Sequence, residues 1–261
     1  RDRRTFFRLY PEEYGPRLFE LLGWEGGRGV KRFEHTAMTE GAPVLSVRDL
    51  HFPALPPMTF DIRRGEIAFL RDENYNTGRR LHECFLGDGG WTSGFFRLNG
   101  RLYQPGDLGR VIGSEIGIQI ERPDRPGGVL FDNMTALDNL CTSLIPKAGQ
   151  HIIRKKIVSS ILSEALRWFP KEMLLQPLSN WSYPERLRFS YYRWYLLNPR
   201  LLICFFPFAG QESTHHKMII DLLVLCAQRG MAVWIISSGI DAICEKTDNE
   251  EFLRRLHYLN K

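Results

Sequence analysis

The chain has 261 residues, 43% of them hydrophobic and 25% charged, enough to bury one large core and carry an appendage beside it. Its 35 basic and 30 acidic residues leave a formal charge of +5, too small to demand a nucleic-acid partner, and the scattered arginines accompany no recognised binding motif. Five widely spaced cysteines (Cys84, Cys141, Cys204, Cys226, Cys244) include no C-x-x-C pair, so neither a disulfide framework nor a zinc site is expected; most read as buried small hydrophobes in a reducing compartment.

The chain opens with "RDRR" rather than methionine and is expected to be a piece of something longer. A strand-like fragment and a short helix stopped by Gly23 are expected over Thr5 to Leu22, followed by a glycine- and charge-rich linker from Gly23 to Pro43. From Val44 the pattern alternates. "VLSVRDLHF" and "MTFDIRRGEIAFL" predict half-buried strands joined by turns, and "GFFRLNGRL" predicts another over Gly94 to Leu102.

Within this stretch, Arg63 to Gly87 has the frame of a phosphate-binding loop. A turn at Gly65 and Glu66 leads to an apolar strand, Ile67 to Leu70, then an irregular loop, then a helix with apolar positions Leu81, Phe85 and Leu86. Where G-x-x-x-x-G-K-[ST] would supply small residues, a lysine and a hydroxyl, the chain has Asp72, Glu73, Asn74, Tyr75, Asn76, Thr77, Gly78, Arg79 and Arg80.

After Met134 the pattern turns helical. "ALDNLCTSL" and "HIIRKKIVSSILSEALRWF" show three-and-four spacing, the second placing Ile152, Ile153, Ile157, Ile161 and Leu166 largely on one side. The apolar runs Leu201 to Phe208 and Ala232 to Ile236 are short enough for buried parallel strands, with the helix "HHKMIIDLLVLCAQRG" between them, a βαβ unit. The longest such run, "LLICFFPFAG", falls short of the roughly 20 residues a bilayer crossing needs, so any membrane association is expected through a partner.

Six segments in order carry a likeness: "FDIRRGEI", "TSGFFRLNGR", "IGIQIERPDRPGG", "NMTALDNL", "RWYLLNPRLLI" and "MAVWIISSG". From Pro43 to Asp248 the chain resembles the ATP-binding cassette subunits of bacterial simple-sugar importers, in particular the second of the two cassettes those subunits carry in tandem. Arg1 to Gly23 resembles the tail of the first. The resemblance implies an α/β fold of the P-loop NTPase type: a mostly parallel sheet flanked by helices, a small antiparallel sheet from Val44 to about Leu102, and a helical subdomain at about 133–193. Residues 1–42 would be the tail of a preceding cassette plus linker, and 43–261 the cassette.

The residues that would grip and cleave a triphosphate depart from the family pattern. Counting from Gly65 puts Asp72, Tyr75 and Thr77 at the family's glycines; a shift of one residue aligns Gly78 and Arg79 with the G-R its second cassettes often carry. Either Arg79 or Arg80 still reaches a phosphate, or the loop is a solvated, rearranged turn. The strand expected to end in D-E has Phe205 and Phe206 there, with Pro207 and Gly210 retained. Phenylalanine offers no lone pair to a metal or a water proton, and losing a general base alone costs about a hundred- to ten-thousand-fold. The rings are expected to be core or interface aromatics.

The L-S-G-G-Q signature maps to "WSYPE", Trp181 to Glu185, or with an insertion to "LSNWS" from Leu178. Both lack the glycine pair. Ser182 either caps the helix, with Pro184 in its first turn, or touches nucleotide. Glu121 matches the acidic residue of the family's P-E-D-R loop, or is an exposed loop glutamate. Glu212 and Ser238 lie near the family's later motif positions, with Gly239 replacing a glutamate, and His215 and His216 are expected to be solvated at a helix start.

These residues assign no catalytic group and no metal ligand; Asn76, Thr77, Gly78, Arg79, Arg80, Glu121 and Ser182 are vestigial nucleotide-site positions. ATP with magnesium is the family's cofactor, and the substitutions weaken the expectation that it binds. The implied partners are membrane permease subunits and another ATP-binding cassette, without nucleic acid, in a protein peripheral to the cytoplasmic face of the cell membrane. The main reading is a degenerate cassette of a carbohydrate importer that couples an active cassette to a permease without hydrolysing ATP. The alternatives are a cassette that binds ATP without turnover, and a regulatory scaffold unrelated to transport.

Overall fold

A computed structural model describes residues 41–121, 130–148, 155–209 and 213–259. The expectations for the first 40 residues, residues 122–129, Ile152, Ile153, Gly210 and Glu212 lie outside the described residues. The described residues divide into a sheet unit, 41–121 with 187–259, and a helical unit, 130–186.

In chain order the sheet unit holds β1 (Leu45–His51), β2 (Met58–Ile62), β3 (Ile67–Arg71), α1 (Asn76–Leu86), β4 (Ser93–Leu98), β5 (Arg101–Tyr103), α2 (Pro105–Leu108) and β6 (Ile116–Ile120). The helical unit holds α3 (Ala136–Ala148), α4 (Lys155–Ala165), α5 (Lys171–Leu174) and the start of α6 (Tyr183–Leu197). Then come β7 (Leu201–Phe205), α7 (Ser213–Gln228), β8 (Ala232–Ser237), α8 (Asp241–Cys244), α9 (Glu250–Arg255) and β9 (Leu256–Tyr258).

Four strands form an antiparallel sheet in the order β2-β1-β4-β5. In β1, Leu45 and Val47 are buried, but the next buried residue is Leu50, because a bulge with Asp49 in left-handed backbone adds one residue and resets the alternation. The single strand expected over Gly94 to Leu102 is instead a hairpin. Asn99 and Gly100 both have positive φ (49° and 78°), the two-residue turn for which Asn-Gly is suited, and the pairing resumes at Leu98↔Arg101.

The second sheet runs β6-β7-β8-β3-β9, with every neighbouring pair parallel. The β7-α7-β8 unit is as the apolar runs predict. On β3, Ala68 and Leu70 point into one continuous core with Ile203, Phe205, Trp234 and Ile236 of the neighbouring strands and with Leu45, Val47, Phe60 and Phe96 of the antiparallel sheet. Ile67 and Phe69, at the alternate positions, are equally buried, so β3 reads as an unbroken apolar run. A mostly buried strand flanked by parallel partners presents its C-terminal end, here Arg71 and Asp72, as the place where ligands gather.

In the helical unit, Thr135 starts α3: its hydroxyl accepts the Asp138 N–H at 3.1 Å and donates to the Asp138 carboxylate at 2.7 Å. Asn139 pins the preceding loop by accepting the Phe131 N–H (2.8 Å) and donating to the carbonyls of Phe131 and Thr135 (3.0 Å each). Leu140, Ile161, Ala165, Leu174 and Leu178 are buried there, and the rings of Phe169 and Trp181 meet at 5.5 Å.

Candidate functional site

The turn before β3 is shaped for close approach. Gly65 takes φ +74°, and the Glu66 carboxylate accepts the Arg63 N–H at 2.6 Å, closing the turn locally. At the other end of β3 the chain leaves the sheet at Asp72, whose N–H donates to the Ser237 carbonyl of β8 at 3.0 Å. Tyr75 then adopts left-handed backbone (φ 58°) and α1 begins at Asn76.

The first turn of α1 carries N–H groups with no partner inside the helix, an arrangement that attracts anions. Here they meet Asp72. Its Oδ1 accepts the Thr77 N–H at 3.2 Å and its Oδ2 the Gly78 N–H at 2.7 Å, while the residue is only 5% exposed. Glu73 is exposed, as a solvated turn would have it, but Asp72 is buried, its carboxylate satisfied by the amides of α1.

Two rings close over the same turn. Phe206, itself in left-handed backbone (φ 52°), lies so near Gly78 that a Cβ there would come within 2.7 Å of the ring's Cζ. Tyr75 packs on Phe206 with centroids 4.6 Å apart. Phe205 points the other way into the core, its ring 5.7 Å from that of His82. The two phenylalanines thus have different surroundings, one in the core and one over the loop.

Asn76 is exposed at the helix start, and Thr77 and Gly78 contribute the amides just described. Arg79 and Arg80 both turn to Glu83, at 3.9 Å and 3.1 Å. Exposed pairs of this kind contribute under about 1 kcal/mol, so they do not hold either guanidinium in place. Leu86, expected on the apolar face, is 61% exposed, while Leu81, Cys84 and Phe85 are buried; burial pushes the Cys84 thiol up to about 11.

Glu121 follows β6 and is 3% exposed, which corrects the exposed-loop alternative. Its N–H donates to the Phe205 carbonyl at 3.3 Å and its carboxylate accepts from the Gln119 side chain at 2.5 Å. Gln119 was not singled out in the sequence, yet it also donates to Ser190 (2.9 Å) and accepts from the Trp194 indole (2.9 Å). A polar residue at an alternate position of an apolar strand was the one available signal.

Ser182 lies in the helical unit. Its N–H and its hydroxyl both donate to Glu185, each at 2.7 Å, so the serine closes the start of α6 through the glutamate rather than by accepting an amide. His216, expected to be solvated, packs edge-on against Phe208 at 5.5 Å, and both histidines are half-buried. Among the described residues no cluster of His, Cys, Asp or Glu could hold a metal ion, and no helix is long and apolar enough to cross a membrane.

No protein-family model matches the chain. In sequence it is 26% identical over 233 residues to a putative ribose/galactose/methyl galactoside import ATP-binding protein of Pseudomonas syringae pv. tomato, covering 87% of this chain and 44% of that protein. It is 24% identical over 258 residues to a fructose import ATP-binding protein of Bifidobacterium longum, covering 91% and 48%. The chain therefore spans less than half the length of these relatives. In structure it is similar to cbiO1 of Clostridium perfringens, part of the ABC transporter complex cbiONQ, with a TM-score of 0.63 and 19% identity over 84% of this chain and 85% of that one. The fold is that of an ATP-binding cassette.

Proposed function

We propose that the chain is a cassette of a carbohydrate importer that packs against another cassette and a membrane permease and does not hydrolyse ATP. The observation that carries this reading is the end of β7. Where a carboxylate would have to steady magnesium or polarise water, Phe206 lays its ring over the first turn of α1 and Phe205 is buried in the core. Neither ring can take a proton or ligate a cation. The α1 amides that would receive a phosphate already bond Asp72, so Mg-ATP does not fit without displacing both a carboxylate and a ring.

The transport half of the reading is supported by likeness to sugar-import ATP-binding proteins. On this reading it sits at the cytoplasmic face of the membrane, held there by a permease. Its contribution is mechanical: a folded cassette against which an active one closes.

An ATPase assay on the purified full chain tests the reading. Expected is no turnover above background, unchanged when Arg79 and Arg80 are replaced by alanine. Hydrolysis that those two substitutions abolish would overturn it. A permease and a solute-binding protein encoded beside the chain are the expected genetic setting.

A further inference from the structure

The α1 amides have a ligand already, and it comes from the chain itself. We propose that Asp72 is an intramolecular replacement for phosphate: it keeps the loop and the first turn of α1 in one conformation whether or not nucleotide is present. This rests on the functional reading only in taking that turn as the phosphate end of the site.

Three observations carry it. One carboxylate bridges two successive amides, Oδ1 to Thr77 and Oδ2 to Gly78, as two oxygens of an anion would. The group is nearly fully buried, and α1 has no acidic residue in its own first turn, so Asp72 is the anion that the 11-residue helix offers its positive end to. The surroundings close on it from both sides. The Asp72 N–H is fixed to Ser237 of β8, and the Phe206 ring lies so near Gly78 that a methyl group there would require the ring to shift.

A phosphate entering this turn would face a carboxylate of like charge with no room to share the amides. The loop order that other nucleotide-binding turns gain on binding is therefore built in. The cassette would not sense nucleotide through this loop; it would hold a constant shape toward its partner.

Amide hydrogen exchange on the full chain tests this. In Asp72→Ala, exchange at Thr77 and Gly78 should rise about ten-fold or more, as expected for losing a charge-assisted bond, while Phe69 and Ile235 in β3 and β8 stay unchanged. Millimolar inorganic phosphate should slow that exchange again in the variant and leave the wild type as it was. If core amides also speed up in Asp72→Ala, the reading moves to Asp72→Asn, which keeps the shape but has one acceptor oxygen, with the same two expectations in smaller measure. Unchanged Thr77 and Gly78 exchange in a folded variant would overturn the proposal, as would protection of the wild-type amides by phosphate. ATP hydrolysis by a wild type whose Thr77 and Gly78 exchange stays insensitive to phosphate would sink the functional reading alone and leave this proposal standing.

Discussion

Tyr75 and Phe206 face each other at 4.6 Å, and both are held in left-handed backbone, φ 58° and 52°. Residues with a Cβ adopt that conformation at a cost of roughly 1–3 kcal/mol, and an aromatic pair returns roughly 0.5–1.5 kcal/mol of it. Tyr75→Gly removes the strain and the ring together, so its stability should stay within about 1 kcal/mol of wild type. Tyr75→Val loses the ring and cannot easily adopt the backbone, and should cost about 1–3 kcal/mol. Urea denaturation midpoints of the two variants separate these outcomes; equal losses would mean that the loop conformation is not as described.

Gly78 gives a sharper sign reversal. In an exposed helix, glycine to alanine stabilises by about 1 kcal/mol. Here the added methyl meets Phe206 at 2.7 Å and Asp72 at 3.2 Å, so Gly78→Ala should instead destabilise by about 1–3 kcal/mol. In a Phe206→Ala background most of that clash is gone and the same change should become neutral or stabilising. A double-mutant cycle by thermal or urea unfolding reads the coupling directly.

How much of this was legible in the sequence depends on whether the information is local. The strand Ile67–Arg71 and the β7-α7-β8 unit announce themselves through short apolar runs and helical spacing, because burial on both faces needs only residue type. The bulge at Asp49 and the Asn99–Gly100 turn are also local, but each was merged into a longer strand when alternation alone was counted. β9 went unread: three residues including a histidine carry no periodicity. The strand exists because Leu256 pairs beside Ile67, with His257 against the Glu66 carboxylate at 2.9 Å, across 191 residues of chain. The site was half legible. That glycines, lysine and carboxylates are replaced is plain from the sequence, but that Asp72 would fold back onto the helix it precedes depends on Tyr75 turning left-handed, which no residue pattern announces.

Ser182 offers a prediction about role. Its two bonds both end on Glu185, so Glu185→Ala should destabilise by about 0.5–2 kcal/mol, the usual value of a helix-start residue. Ser182→Ala should cost less, since its backbone N–H still reaches the glutamate. If instead Ser182→Ala left stability untouched but altered nucleotide affinity, the capping account of α6 would be wrong.

A pH dependence follows from the antiparallel sheet. The Arg48 hydrogen bond, 2.7 Å long, holds the Asp61 carboxyl below its usual range. A group with a depressed folded pKa adds stability that is complete above its unfolded value and lost as pH falls through its folded value. Replacing Arg48 with methionine should therefore flatten the acid limb of the stability curve, the pH-dependent part of the difference vanishing in acid. With both side chains about one-third exposed (37% and 31%), that part should stay below about 1 kcal/mol.

The central claim is that the first turn of α1 is already filled, and calorimetric titration of Mg-ATP into the full chain measures that most directly. The account predicts no saturable heat in the micromolar range. Stoichiometric micromolar binding that disappears when Arg79 and Arg80 are replaced would contradict it, because those residues could serve a triphosphate only if Asp72 and Phe206 had moved out of its way.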